Sequence, residues 1–258
     1  MRIVSLVPSL TKTLFDLGLT ADSIVGRTPW CIHPAGEVNA VPVVGGTKTP
    51  TLSKIINAQP DLVVLDRDEN PKSVYDWCQE QGLATFVCHV SHPADVPAML
   101  RSLGEAVQRS EEAEAIAQTI ERTLNDLPAS NGRCALPMIW HEPLMAANGA
   151  TYAGSMVACM GYHVPVIQPD GTGYPVVSAQ DLMEHGVTDL FLSSEPHEFS
   201  LAEGQAMAQA VVEAGGVAPR IHLIDGEDLT WMGSHTAQGL RAMVERSQAL
   251  GAGTSTDR

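Results

Sequence analysis

At 258 residues, 44% hydrophobic and 17% charged, the chain can hold one large domain or two of ordinary size, each with a real core. A net charge of −15 repels a phosphate backbone and sets nucleic acid aside as a partner, and no apolar run approaches the ~20 residues that span a bilayer. The five cysteines are odd in number and scattered, which does not suit a disulfide framework.

Met1-Arg2 leads straight into a short apolar run at 3–7 that ends at Pro8-Ser9, without the longer apolar region and cleavage site of a secretory signal. The chain as written is therefore expected in the cytoplasm, or in the periplasm if it is a trimmed mature chain. Further strands are predicted at 23–26, 62–65 and 84–88. Helical patterns fall at 9–17, 51–58 and 71–81, the last with Val74, Trp77 and Cys78 on one face. A longer helix follows, N-capped by Ser110, with Glu111, Glu112 and Glu114 in its favourable first turn. Ile116, Ile120, Leu124 and Leu127 mark its face until Pro128 and Asn131-Gly132 stop it. About 18 residues give ~27 Å, enough to bridge two lobes.

The second half repeats the first, with strands predicted at 136–140, 164–167, 189–193 and 220–224 and helices at 151–160, 178–185, 202–214 and 234–249. Leu136-Pro137-Met138-Ile139-Trp140 echoes the first strand, and Thr188-Asp189-Leu190-Phe191-Leu192-Ser193 echoes Pro60-Asp61-Leu62-Val63-Val64-Leu65. Alternating short strands and helices make βαβ units and largely parallel sheets. The expected organisation is an N-terminal α/β lobe at 1–108, a bridging helix at 109–128 and a C-terminal α/β lobe at 129–258.

Ligands of parallel α/β sheets collect outside the carboxyl ends of the strands. In the first half that rule selects Pro8-Ser9, Thr28-Pro29-Trp30-Cys31, Gly45-Gly46-Thr47-Lys48 and Asp66 to Asn70; in the second, His141-Glu142-Pro143, Asn148-Gly149, Ser194-Glu195-Pro196-His197, Asp225-Gly226 and the stretch around Trp231. Trp30 and Trp231 lie among Pro, Gly and polar neighbours, where they serve either as plates for a large planar ligand or as anchors of their own loops. Trp77 belongs to a helical stripe and is assigned to the core; Trp140, ending a strand, fits either role.

Gly45-Gly46-Thr47-Lys48 is not a P-loop, since Thr47 stands where that motif needs glycine before lysine; it reads as a turn before a helix capped by Thr49 or Thr51. Cys31-x-His33 and Cys88-His89-x-x-His92 lack a matching second pair, and adjacent His141 and Glu142 point apart on a strand end, so no dedicated metal site is expected. His141, His197 and His235 are individual mouth residues that could hydrogen-bond or ligate a bound cofactor. No G-x-S-x-G elbow is present, and Asp66 to Glu69 reads as a solvated loop partly neutralised by Arg67, so no catalytic residues are assigned.

The stretch from Arg2 to Leu19, Val25-Gly26-Arg27-Thr28, Pro42-Val43-Val44-Gly45-Gly46 and Pro60-Asp61-Leu62-Val63-Val64 resemble the helical-backbone metal-receptor superfamily, over roughly residues 2–247. These are the substrate-binding proteins of vitamin B12 and ferric-siderophore ABC importers, and the cobalamin-binding branch matches best. The resemblance implies two Rossmann-like lobes with parallel sheets, joined by one long helix, with the ligand clamped between them. It further implies ligand contacts from Pro8, Ser9, Trp30, Gly45, Gly46, Thr47, Asp66 and Arg67 in one lobe and from His141, Glu142, Ser194, Glu195 and Trp231 in the other. An aromatic residue commonly takes the place of Asp66 in cobalamin binders, and the chain resembles signal-less homologues. It lacks the D-x-H-x-x-G motif of some corrinoid enzymes. The implied function is non-enzymatic binding of a large metal chelate, a corrinoid first, with no covalent cofactor and with ABC-transporter membrane subunits as possible partners. The alternatives are a ferric siderophore or haem, or an intracellular enzyme or partner-binding protein on the same scaffold.

Overall fold

Every named strand among the described residues belongs to one of two four-stranded sheets. The computed structural model describes residues 1–168, 171 and 173–252, and these fall into two units. The first comprises Met1–Val90, Asp95–Glu121 and Met232–His235; the second comprises Ser91–Ala94, Arg122–Trp231 and the chain from Thr236 onward.

In the first unit β1 (Ile3–Ser5), β2 (Ile24–Gly26), β3 (Leu62–Asp66) and β4 (Thr85–Cys88) pair in the order β2-β1-β3-β4, all parallel. Helices α1 (Pro8–Asp16), α2 (Leu52–Asn57), α3 (Lys72–Glu80) and α4 (Val96–Ala106) accompany them. The central strands β1 and β3 are buried at every position, as continuous apolar runs in a sheet covered on both faces must be. Val4, Leu6, Val44, Ile55, Val63, Leu65, Val74 and Cys78 form a core cluster, against which Trp77 packs as a partly buried neighbour.

Helix α5 (Ser110–Asn125) starts at the residue read as its cap, and the unit boundary falls within it, after Glu121. Its fully buried stripe is Ala113, Ala117 and Ile120, with Ile116 and Leu124 half-buried. The expected apolar stripe is thus shifted toward small residues that allow close approach. Arg101 on α4 pairs with Glu114 and Glu121 at 2.6 and 2.8 Å and holds the two helices side by side.

The second unit repeats the order as β6-β5-β7-β8, with β5 (Ala135–Trp140), β6 (Met145–Ala146), β7 (Asp189–Ser193) and β8 (Arg220–Ile224). Here β6 is antiparallel. Its helices are α6 (Tyr152–Cys159), α7 (Ala179–Glu184), α8 (Leu201–Glu213), α9 (Gly226–Thr230) and α10 (Thr236–Ala252). Helices α7 and α8 open on full capping boxes, Ser178 with Asp181 and Ser200 with Glu203.

The strand expected at 164–167 does not form. Its place is taken by a single parallel bridge, Cys134 to His163, and Pro165 has no N–H with which to continue the ladder. Three elements escape the sequence reading. Pro97 disguises α4, although proline is tolerated in a helix's first turn. Helix α9 opens on a glycine, and β6 has only two residues. At the amino end of β7 the buried carboxylate of Asp189 is met by Arg133, by His222 Nε2 at 2.7 Å and by Arg220 at 3.4 Å.

Candidate functional site

The strand order 2-1-3-4 places a topological switch between β1 and β3, where chains leave the sheet in opposite directions and open a crevice. The segments leaving the carboxyl ends of those strands are Pro8-Ser9 and Asp66-Arg67. In the second unit the corresponding ends of β5 and β7 carry His141-Glu142 and Ser194-Glu195. Eight of the residues singled out from sequence therefore stand at the two switch points.

In the first unit, Asn70 organises the loops. Its Nδ2 donates to Leu6 O at 3.2 Å and Thr47 O at 3.0 Å, and its Oδ1 accepts from Asp66 N at 2.8 Å. One buried amide thus joins the exits of β1 and β3 to the Gly45-Gly46-Thr47 turn. That turn is closed by an antiparallel bridge from Gly45 to Pro50, and Gly45 has φ +116 with no room for a Cβ against Thr51 N. Thr51 is the N-cap of α2, without a side-chain cap bond.

Asp66 corrects the sequence reading of a solvated loop, being only 2% exposed. Its Oδ1 accepts from Asp68 N at 2.8 Å and Glu69 N at 3.0 Å, so the carboxylate caps its own turn. Burial raises its pKa, against the lowering effect of those amides and of a bond from Cys88. Arg67 is exposed beside it.

Trp30 is 64% exposed, and its loop is held from beneath by Arg27. The buried guanidinium donates to Val38 O, Val41 O, Thr28 O and Cys31 O at 2.8 to 3.2 Å. Arg27 is therefore a strut rather than a cation offered to a ligand. Lys48 Nζ donates to Asp68 O at 2.6 Å. Pro8 opens α1 at N1, and Ser9 Oγ is buried with no hydrogen-bond partner among the described residues.

In the second unit, Trp231 lies at the C-cap of α9, is 6% exposed, and donates from Nε1 to Glu195 Oε1 at 2.8 Å. It is a buried anchor for a carboxylate rather than an open plate. Thr230 Oγ1 donates to the same oxygen at 3.2 Å, and burial raises the pKa of Glu195 against these two bonds. Ser194 Oγ accepts from Gly226 N at 2.9 Å, and a side chain at Gly226 would collide with Glu195. Trp140 is 41% exposed at the end of β5, its Nε1 donating to Glu142 O at 2.9 Å.

His141 and His197, half-exposed, stack with ring centroids 5.4 Å apart at 15°, and Phe199 stands edge-on to both. Glu203, which the sequence reading passed over, reaches both rings: His197 Nε2 lies 2.8 Å and His141 Nδ1 3.5 Å from its Oε1. The expectation of no metal-type cluster rested on sequence spacing; here residues 56 and 62 positions beyond His141 supply the partners. His235 is buried in the first unit and belongs to a different environment.

Two similar α/β units, each with its loops gathered at a switch point, define the architectural class as a paired α/β scaffold, and no helix among the described residues is long and apolar enough to cross a membrane. The chain belongs to the periplasmic binding protein family, whose sequence profile matches residues 3–214. The superfamily resemblance of the N-terminal motifs is borne out by this match. No curated protein sequence matches the chain significantly. Among solved structures, the periplasmic vitamin B12 binding protein BtuF of Vibrio cholerae is similar with a TM-score of 0.78 at 16% identity, over 97% of each chain. The periplasmic heme-binding protein RhuT from Roseiflexus sp. RS-1 gives 0.75 at 20% identity, over 96% of this chain and 99% of that one. The periplasmic heme binding protein HutB of Vibrio cholerae gives 0.76 at 18%, over 97% and 98%. At such identities these likenesses establish the α/β fold.

Proposed function

We propose that the protein binds a corrinoid, without catalysing its conversion, and delivers it as the substrate-binding component of an ABC-type system. The single observation that carries this reading is the pair of uncovered indoles, Trp30 and Trp140, at the carboxyl ends of the two sheets, amid loops rich in hydrogen-bond acceptors. Indole faces suit the flat macrocycle, and carboxylates such as Glu142, Glu195 and Asp68 suit amide N–H groups, which fringe a corrin ring.

Haem and ferric siderophores carry anionic groups that Arg or Lys would meet. Cations near the first unit's loops are engaged with backbone carbonyls: Arg27 with four, Lys48 with Asp68 O and Lys54 with Val43 O. The same chemistry favours the corrinoid over its rivals. Within this reading Pro8, Ser9, Gly45, Gly46, Thr47, Asp66, Arg67, His141, Glu142 and Ser194 line the binding faces, and Trp231 acts by aiming Glu195.

Calorimetric titration with cyanocobalamin tests the reading, with hemin as the parallel arm. Saturable heat with cyanocobalamin is expected, and Trp30→Ala should weaken binding by about 1–3 kcal/mol, the scale of an aromatic hot spot. No heat at ~100 µM protein, a Kd above ~10⁻⁴ M, would rule out a physiological corrinoid role. Binding of hemin alone would transfer the function to haem.

A further inference from the structure

We infer that His141, His197 and Glu203 form a binding site for a free first-row divalent transition ion of the Zn²⁺ type. The inference does not depend on the chelate reading, because it needs no macrocycle. Two imidazoles and one carboxylate are a donor set that suits zinc and leaves a coordination position open. One ring nitrogen from each of His141 and His197 and one Glu203 oxygen all lie within 4.8 Å of one another. An ion with bonds of about 2.0–2.1 Å has tetrahedral ligand–ligand edges of about 3.3 Å. The two separations to Glu203 Oε1, 2.8 and 3.5 Å, bracket that value, and the two histidine nitrogens lie within 4.8 Å of each other.

The cluster is held in place before any ion arrives. Glu203 is the third residue of the α8 capping box, and its Oε2 accepts from Ser200 N at 2.7 Å and Ser200 Oγ at 2.6 Å. One carboxylate oxygen is thereby fixed while the other faces the histidines, the outer-shell support that metal ligands require. Phe199 fixes the stacked rings from the side, at 4.6 Å from His197 and 6.1 Å from His141. His197 Nε2 and Glu203 Oε1 lie 2.8 Å apart. Loading an ion needs the lone pair of Nε2 turned to it and the ring proton on Nδ1, a change of tautomer that involves no oxidant or reductant. The open position is then available to water or to a donor atom of a bound molecule.

The test is a spectroscopic titration of the untagged full-length chain with Co²⁺ alone, followed by displacement with Zn²⁺. Visible d–d bands saturating at one equivalent and abolished by Zn²⁺ are expected. His197→Ala and His141→Ala should each raise the Kd at least about 10-fold. Glu203→Gln, which preserves the cap and so guards against a folding artefact, should do the same. Absence of a saturable band in the wild type overturns the proposal, as does an unchanged Kd in both histidine variants, which would trace binding to other surface histidines. Because no corrinoid or haem is present, failure here leaves the chelate titration to stand or fall by itself.

Discussion

Asn70 shows how much of this site rests on single side chains that touch three loops at once. Asn70→Ala strands the carbonyls of Leu6 and Thr47 and the amide of Asp66 in a buried setting. The expected cost is about 1–3 kcal/mol, read as a lowered urea midpoint at constant slope. A change below about 0.5 kcal/mol would show that the loops hold without it. Asp66 carries a pH signature. Its folded pKa is raised above the ordinary 3.8, so its full contribution is present below that pH and is lost as the pH rises through the folded value. Asp66→Asn, neutral throughout, should therefore gain on the wild type in urea midpoint from about pH 4 upward. A difference independent of pH would contradict the assignment. Neither role was legible in sequence. Asp66 to Asn70 reads as a polar loop, and only the fold reveals that two of its members turn inward while Arg67 turns out. Trp30 and Trp231 read alike in sequence, each an aromatic among Pro, Gly and polar neighbours off any periodic stripe, yet the fold exposes the first and buries the second.

Elements followed the sequence where both period and punctuation agreed. The fully buried β3 and β7 announced themselves as apolar runs bounded by turns, and α3 by its Val74 and Cys78 stripe. The misses were physical rather than random: Pro165 cut a strand to one bridge, and a first-turn proline hid a helix that buries Val96, Met99, Leu100 and Leu103. The His141–His197–Glu203 group was invisible because it joins the exit of β5 to the first turn of α8, two elements far apart in sequence. The capping box of α8 gives a prediction at this level. Ser200→Ala should cost about 1 kcal/mol in stability and also free Glu203 to rotate. Gly226→Ala tests α9 in the same way, since its methyl group displaces Glu195. The indole bond of Trp231 should then be lost, read as a change in tryptophan fluorescence. An unaltered spectrum in a folded Gly226→Ala protein would argue against this packing.

At the level of the whole molecule, the charge of −15 acts on any solute before contact. An anionic chelate such as hemin should associate faster as salt screens the repulsion, whereas neutral cyanocobalamin should be indifferent to ionic strength in a stopped-flow comparison. The family match over residues 3–214 and the repeated strand order make the architecture the most readable property of this sequence, since repetition states it twice. Yet neither unit is one uninterrupted stretch of polypeptide. Met232–His235 belongs with the N-terminal unit, where Cys88 Sγ lies 3.3 Å from Met232 Sδ and Ser234 N donates to Thr13 Oγ1 at 3.0 Å. Ser91–Ala94 belongs with the C-terminal one, where Ser155 Oγ donates to Ser91 O. A gene severed after codon 121 would thus yield two polypeptides that each lack a four-residue strip of their own fabric. Recombination could exchange such halves among relatives only by carrying those strips along with them.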